Sequence, residues 1–130
     1  MAGKALTFDD VREIGLALPG VTESTMYGEP ALKLGRDLLA CVPSHKSAEP
    51  GSLVVRIDFE QRAALLEEAP EVYYLREHYR GYAAVLVRLS RIRREELRDL
   101  LGAACRFVGA RGKRAASGKA RRSSRSGAGA

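Results

Sequence analysis

Apolar positions near the N-terminus recur at helical spacing. Phe8, Val11, Ile14 and Leu18 fall on one side of a 3.6-residue period, with Thr7 placed as a cap and Asp9 and Asp10 in the first turn, where the helix dipole favours negative charge. Pro19-Gly20 ends that helix. The pattern then shortens. Tyr27-Gly28-Glu29-Pro30 reads as a turn into a strand at Ala31 to Leu34, and Gly35-Arg36-Asp37 as a second turn before the apolar run Leu38 to Val42, together a β-hairpin signature. Pro43 to Ser52 has the composition of a loop, and its length predicts a mobile connection.

Two later segments echo each other at an offset of 32 residues: Leu53-Val54-Val55-Arg56-Ile57-Asp58 and Val85-Leu86-Val87-Arg88-Leu89-Ser90. Each reads as a strand followed by a cap. Asp58 opens a helix carrying Phe59, Ala63 and Leu66, and Ser90 precedes a longer one carrying Leu97, Leu100, Leu101, Ala104 and Val108. An old duplication and a chance likeness of two ordinary strands both account for the echo. Alternation sends Leu53, Val55, Ile57, Val85, Val87 and Leu89 toward the helices. Val54, Arg56, Leu86 and Arg88 then face away, with Lys33 joining them if the hairpin register allows. The result is a half-apolar face with a basic stripe.

Charge divides the chain. Up to Val108 there are 15 Lys and Arg against 16 Asp and Glu, a net of −1, whereas beyond it stand seven bases and no acid. Those bases are Arg111, Lys113, Arg114, Lys119, Arg121, Arg122 and Arg125, set among Gly, Ala and Ser. The expectation is one domain over residues 1–108, compact from about residue 4, and a disordered basic tail over 109–130, since the tail offers no apolar side chain to offset the cost of ordering. Cys41 and Cys105 sit in apolar contexts, 64 positions apart, as buried thiols do in a reducing compartment. No signal-like apolar region opens the chain and no apolar run approaches the ~18 residues a bilayer requires. The chain is therefore read as cytoplasmic, with no membrane partner.

Tyr73 to Tyr82 packs four tyrosines, Arg76, His78 and Arg80 into ten positions. Aromatic faces that stack on bases, interleaved with guanidiniums that pair with phosphates, are the means of single-strand recognition. Half-buried tyrosines covering a sheet edge would give the same composition. Catalytic signatures are missing: there is no HExxH, no CxxC, no Gly-x-Ser-x-Gly elbow, no P-loop and no dinucleotide fingerprint. No catalytic residue, metal site or cofactor is expected.

The ordered strings Leu18-Pro19-Gly20-Val21-Thr22-Glu23, Tyr27-Gly28-Glu29-Pro30-Ala31-Leu32-Lys33, Val55-Arg56-Ile57-Asp58 and His78-Tyr79-Arg80-Gly81-Tyr82, followed by an amphipathic helix, resemble the MmcQ/YjbR family over about residues 7–108. The resemblance implies an α+β fold: an antiparallel sheet packed against about three helices in a single domain, similar to the double-wing domain of a phage transcription factor. It also implies DNA binding, as family members are described. Many members carry a Lys-containing string ending in Trp where this chain has Tyr79-Arg80-Gly81-Tyr82, which leaves an aromatic and a cation in place.

The leading expectation is a non-enzymatic nucleic-acid-binding module. Lys33, Arg56 and Arg88 on the sheet face and Arg76, Tyr79, Arg80 and Tyr82 in the aromatic segment would make the contacts, and the seven tail bases would add salt-sensitive attraction to phosphate. The rival is a small-ligand or protein-interaction domain whose pocket lies between the sheet and the Pro43 to Ser52 loop, with Tyr27, Glu29 and His78 around an anionic or aromatic ligand. An enzyme of unknown chemistry is the third reading. The pattern leaves oligomeric state open.

Overall fold

A computed structural model of the protein describes residues 5–125, and the side chains of residues 5–110. The chain runs α1 (Phe8–Leu16), β1 (Val21–Met26), β2 (Glu29–Leu34), β3 (Asp37–Cys41), β4 (Ser52–Arg56), α2 (Phe59–Glu68), β5 (Tyr73–Tyr74), a 3-10 turn at Glu77–Tyr79, β6 (Ala84–Arg88) and α3 (Arg94–Arg125). The strands form one sheet in the order β1-β2-β3-β4-β6-β5, every neighbouring pair antiparallel. The fold is thus a single α+β domain with three α-helices among the described residues.

Local chemistry sets the helix starts. The Thr7 side chain accepts from the Asp9 amide, and the Asp10 carboxylate reaches back to the Thr7 amide at 2.9 Å, so α1 opens with a closed capping box. Asp58 accepts from Gln61 N–H at 2.7 Å and caps α2. Ser90 does not cap α3. Leu89 and Ile92 are both buried, which keeps the chain in a turn against the sheet, and the helix begins at Arg94 with the Glu96 carboxylate accepting the Arg93 amide at 3.0 Å. Phe59, expected on the apolar stripe of α2, is half exposed beneath the Arg62 guanidinium instead.

One face of the sheet carries Leu32, Leu39, Leu53, Val55, Ile57, Val85 and Val87, all buried against Val11 and Ile14 of α1 and Leu97, Leu101, Ala104 and Val108 of α3. Gly15 lets α1 approach closely, because a Cβ there would collide with Leu32 Cδ1. A bulge between β2 and β3, where Leu32 pairs with Ala40 but Lys33 with Leu38, leaves Leu39 as the extra residue. The bulge re-aims β3 so that Leu38 and Cys41 both serve the opposite face while Leu39 and Ala40 serve the helix face.

The tail expectation meets a different backbone. Disorder is expected from Gly109, yet α3 continues to Arg125. A helix already nucleated by packing up to Val108 adds residues at little cost, and Ala, Arg and Lys are good helix formers. The side chains of Arg111, Lys113, Arg114, Lys119, Arg121, Arg122 and Arg125 lie outside the described residues.

Candidate functional site

The sheet's other face is where the chemistry-bearing side chains meet. Alternation places Ala31, Val54 and Leu86 there, buried, with Cys41 and Ala84. Over them a cleft of about 480 Å³ opens. Leu38, Cys41, Val54 and Ala84 form its floor, Met26 and Tyr27 a wall at the β1–β2 hairpin, Val42 to His45 a second wall, and His78, Tyr79 and Tyr82 a third. This volume is ordinary for a small-molecule site, and the lining is largely apolar and aromatic with a few polar tips.

Two walls are joined by rings. His45 and His78 stack with centroids 3.7 Å apart and planes 13° from parallel. Tyr79 stands edge-on to both, at 4.8 Å from His78 and 6.2 Å from His45, while Tyr82 tilts toward His78 at 6.4 Å. The Ser47 backbone N–H donates to His45 Nδ1 at 3.1 Å. An amide can only donate, so that nitrogen carries the lone pair and neutral His45 bears its proton on Nε2. Burial, then the charges of His78 and Lys46, holds His45 below the ordinary imidazole range. On the floor, burial and secondarily the Glu29 charge push the Cys41 thiol up to about 11, so it stays protonated and inert.

The loop that builds the His45 wall is tied down rather than free, contrary to its expected mobility. Glu49 takes Arg88 in a fork, Nε to Oε1 at 2.9 Å and Nη2 to Oε2 at 2.8 Å, and also accepts from Arg76 Nη2 at 3.1 Å. Both guanidiniums lie over the Tyr74 ring, 4.5 and 4.4 Å from its centroid. The Tyr74 hydroxyl accepts from Glu49 N–H at 2.8 Å and bonds the buried Ser52 hydroxyl at 2.5 Å. Arg88, followed by Arg76, holds the Glu49 carboxyl below its usual range. A second tether comes from α2: Arg62 donates to the carbonyls of Tyr82 at 2.7 Å and of Ala84 and Arg80 at 3.2 Å, fixing the turn that presents Tyr82.

This geometry divides the residues expected to bind. Tyr79 and Tyr82 from the aromatic segment meet Tyr27 and His78 from the alternative pocket in one cleft, whereas Glu29 is not among its lining residues and contributes only secondarily to the raised Cys41 pKa. The basic stripe does not form. Arg56 stands opposite Ala84 and Arg88 opposite Ser52, at the two ends of the β4–β6 ladder, about 13 Å apart at strand rise. Arg56 Nε donates to the Ala83 carbonyl at 3.0 Å with its guanidinium 5.7 Å from the Phe107 ring centroid, and Arg88 is engaged by Glu49. Lys33 lies on another strand, opposite Thr22 and Leu38. Arg76 belongs to the loop tether. Arg80 is exposed and pairs with Glu77 at 3.3 Å. His45, Cys41, Leu38 and Met26 were not foreseen; the only local signal was a histidine in a Pro43-Ser44-His45 loop. Among the described residues no three His, Cys, Asp or Glu side chains gather to hold a metal, and no helix is long and apolar enough to cross a membrane.

A family model described as YjbR matches residues 16–106, most of the chain. The chain belongs to the YjbR family. Similar proteins include the uncharacterized proteins Rv2570 of Mycobacterium tuberculosis H37Rv and Mb2600 of Mycobacterium bovis. Each is 37% identical over 109 residues, covering 73% of this chain and 82% of the relative. The crystal structure of Deinococcus radiodurans protein DR2400, with a DUF419 domain, superposes with a TM-score of 0.66 at 21% identity, covering 86% of this chain and 85% of that one. That likeness shows the shared fold alone.

Proposed function

We propose that this YjbR domain is a non-enzymatic nucleic-acid-binding module whose cleft takes an unstacked base of a single strand, with the basic tail drawing in the phosphates. The observation that carries the reading is the convergence of His45, His78, Tyr79, Tyr82 and Tyr27 on one cleft. Splayed-out bases are held by stacking on Tyr and His rings, at about 1–3 kcal/mol per base. Phosphate contacts have two sources. Arg80 and Lys46 adjoin the cleft residues in sequence, and the exposed Arg80–Glu77 pair is weak enough to exchange for a phosphate. The seven tail bases add the larger, salt-sensitive attraction.

The test is fluorescence anisotropy of a labelled single-stranded oligonucleotide across a salt series, comparing the wild type, His78→Ala, and a variant with the seven tail bases changed to Gln. His78→Ala is expected to weaken binding about tenfold at every salt concentration and to leave the salt slope unchanged. The tail variant should flatten the slope. Unchanged affinity in His78→Ala overturns the reading. A second reading, a free heteroaromatic ligand in the same cleft, is favoured by the pairing of the core's arginines with carboxylates at Glu49, Glu23, Asp10 and Glu13. It predicts that strand binding vanishes with the tail while nucleosides still perturb the NMR resonances of His45 and Tyr79.

A further inference from the structure

The hairpin wall of the cleft turns through Tyr27 and Gly28, with φ of 54° and 81°. Met26 pairs with Glu29, so the loop has two residues and demands left-handed backbone at both. Glycine meets that demand at the second position. The first ordinarily goes to Asn, Asp or Gly, and a bulky aromatic there is a steric outlier. Burial gives nothing in return: Tyr27 is 84% exposed, and the residue nonetheless belongs to the cleft lining. A side chain that strains its backbone and adds little to the core is accounted for by something it touches outside the fold. Tyr82, 60% exposed, is the other open ring of the same cleft.

We infer that Tyr27 is a ligand-contact residue, its ring closing over the outer face of the planar group seated in the cleft, at the expense of hairpin stability. The inference rests on the base-binding reading of the cleft. It makes the hairpin tip, and not only the histidine stack, a determinant of affinity. The two rings differ in kind: His78 is packed between His45 and Tyr79 before any ligand arrives, whereas Tyr27 acquires its contact from the ligand.

The experiment uses the full chain and its Tyr27→Asn, Tyr27→Phe and His78→Ala variants, read by thermal unfolding and by anisotropy of a labelled single-stranded oligonucleotide. Asn suits left-handed backbone, so Tyr27→Asn should raise the melting temperature by about 4 °C while weakening binding about tenfold. Tyr27→Phe should keep both near wild type. If Tyr27→Asn melts higher and binds as well as the wild type while His78→Ala loses affinity, the base-binding cleft stands and the role of Tyr27 falls. If neither Tyr27→Asn nor His78→Ala changes affinity, the reading of the cleft fails and takes this inference with it. A lower melting temperature for Tyr27→Asn shows that the ring serves the fold, which also overturns it.

Discussion

The two faces of the sheet are covered in opposite ways. On one, α1 and α3 bring apolar stripes whose buried side chains pack with Leu53, Val55, Val85 and Val87. On the other, the cover is the Pro43 to Ser52 loop and a 3-10 turn, built largely from polar residues, held by Glu49 between Arg76 and Arg88 and by Arg62 on backbone carbonyls. A helix fills the space beneath it because its period supplies an apolar residue at every turn. A polar loop fixed at a few points cannot do so. Closure at the Glu49 end leaves a cavity at the His45 end, so the cleft follows from covering half the sheet with charge pairs instead of apolar side chains.

The sharpest separation of the faces comes from their cores. Leu101 is fully buried under α3, and Leu101→Ala should cost about 2–5 kcal/mol of stability with no change in cleft affinity of the folded fraction. Val54 is buried on the cleft floor, and Val54→Ala removes the equivalent of two methylenes, roughly 1.6 kcal/mol, while altering affinity. Urea titration with the oligonucleotide assay checks both. Equal costs together with equal affinity changes would mean that the faces form one energetic unit.

Glu49→Gln breaks the cover without touching either core. It leaves Arg76 and Arg88 over the Tyr74 ring with no counter-charge, so the loop should open locally. Amides 44–49 are expected to exchange with deuterium about tenfold faster, with those of β4 and β6 little changed. Uniform acceleration across the sheet would instead make the tether part of the global fold.

What the sequence made legible tracks how local each signal is. The faces of β4 and β6 were assigned correctly because Leu53, Val55 and Ile57 alternate strictly with Val54 and Arg56. β1 went unseen, since Thr22, Glu23, Ser24 and Thr25 are polar and the strand is a sheet edge with only Val21 buried. The bulge at Leu39 and the two-residue strand β5 exist only through pairing with neighbours. The same holds for the site. The tyrosine-rich segment stood out by composition, but its partner His45, and the meeting of Arg76 and Arg88 on Glu49, join residues far apart in sequence that no local period connects. A basic stripe was expected because alternation was applied without the length of the ladder, which sets Arg56 and Arg88 at opposite ends.

The smallest effect should come from acid, acting on the open face alone. Folding holds His45 below its ordinary pKa, so the unfolded chain binds the proton more readily. Stability then rises with pH wherever the unfolded state carries more protons: this contribution is complete above about 6.5 and is lost as pH falls through the folded value. The structure gives the reason. A proton on Nδ1 would face the Ser47 N–H, and the new charge would sit against His78 at 3.7 Å and near Lys46. The lowered carboxylates Asp10, Glu49, Asp58 and Glu96 titrate below this window. Between pH 7.5 and 5.5 the wild type should lose about 1–2 °C more in melting temperature than His45→Gln, and oligonucleotide affinity should fall with it. Parallel pH profiles for the two proteins would show that the stacked pair carries its proton without strain, and that the two faces of the sheet respond to acid alike.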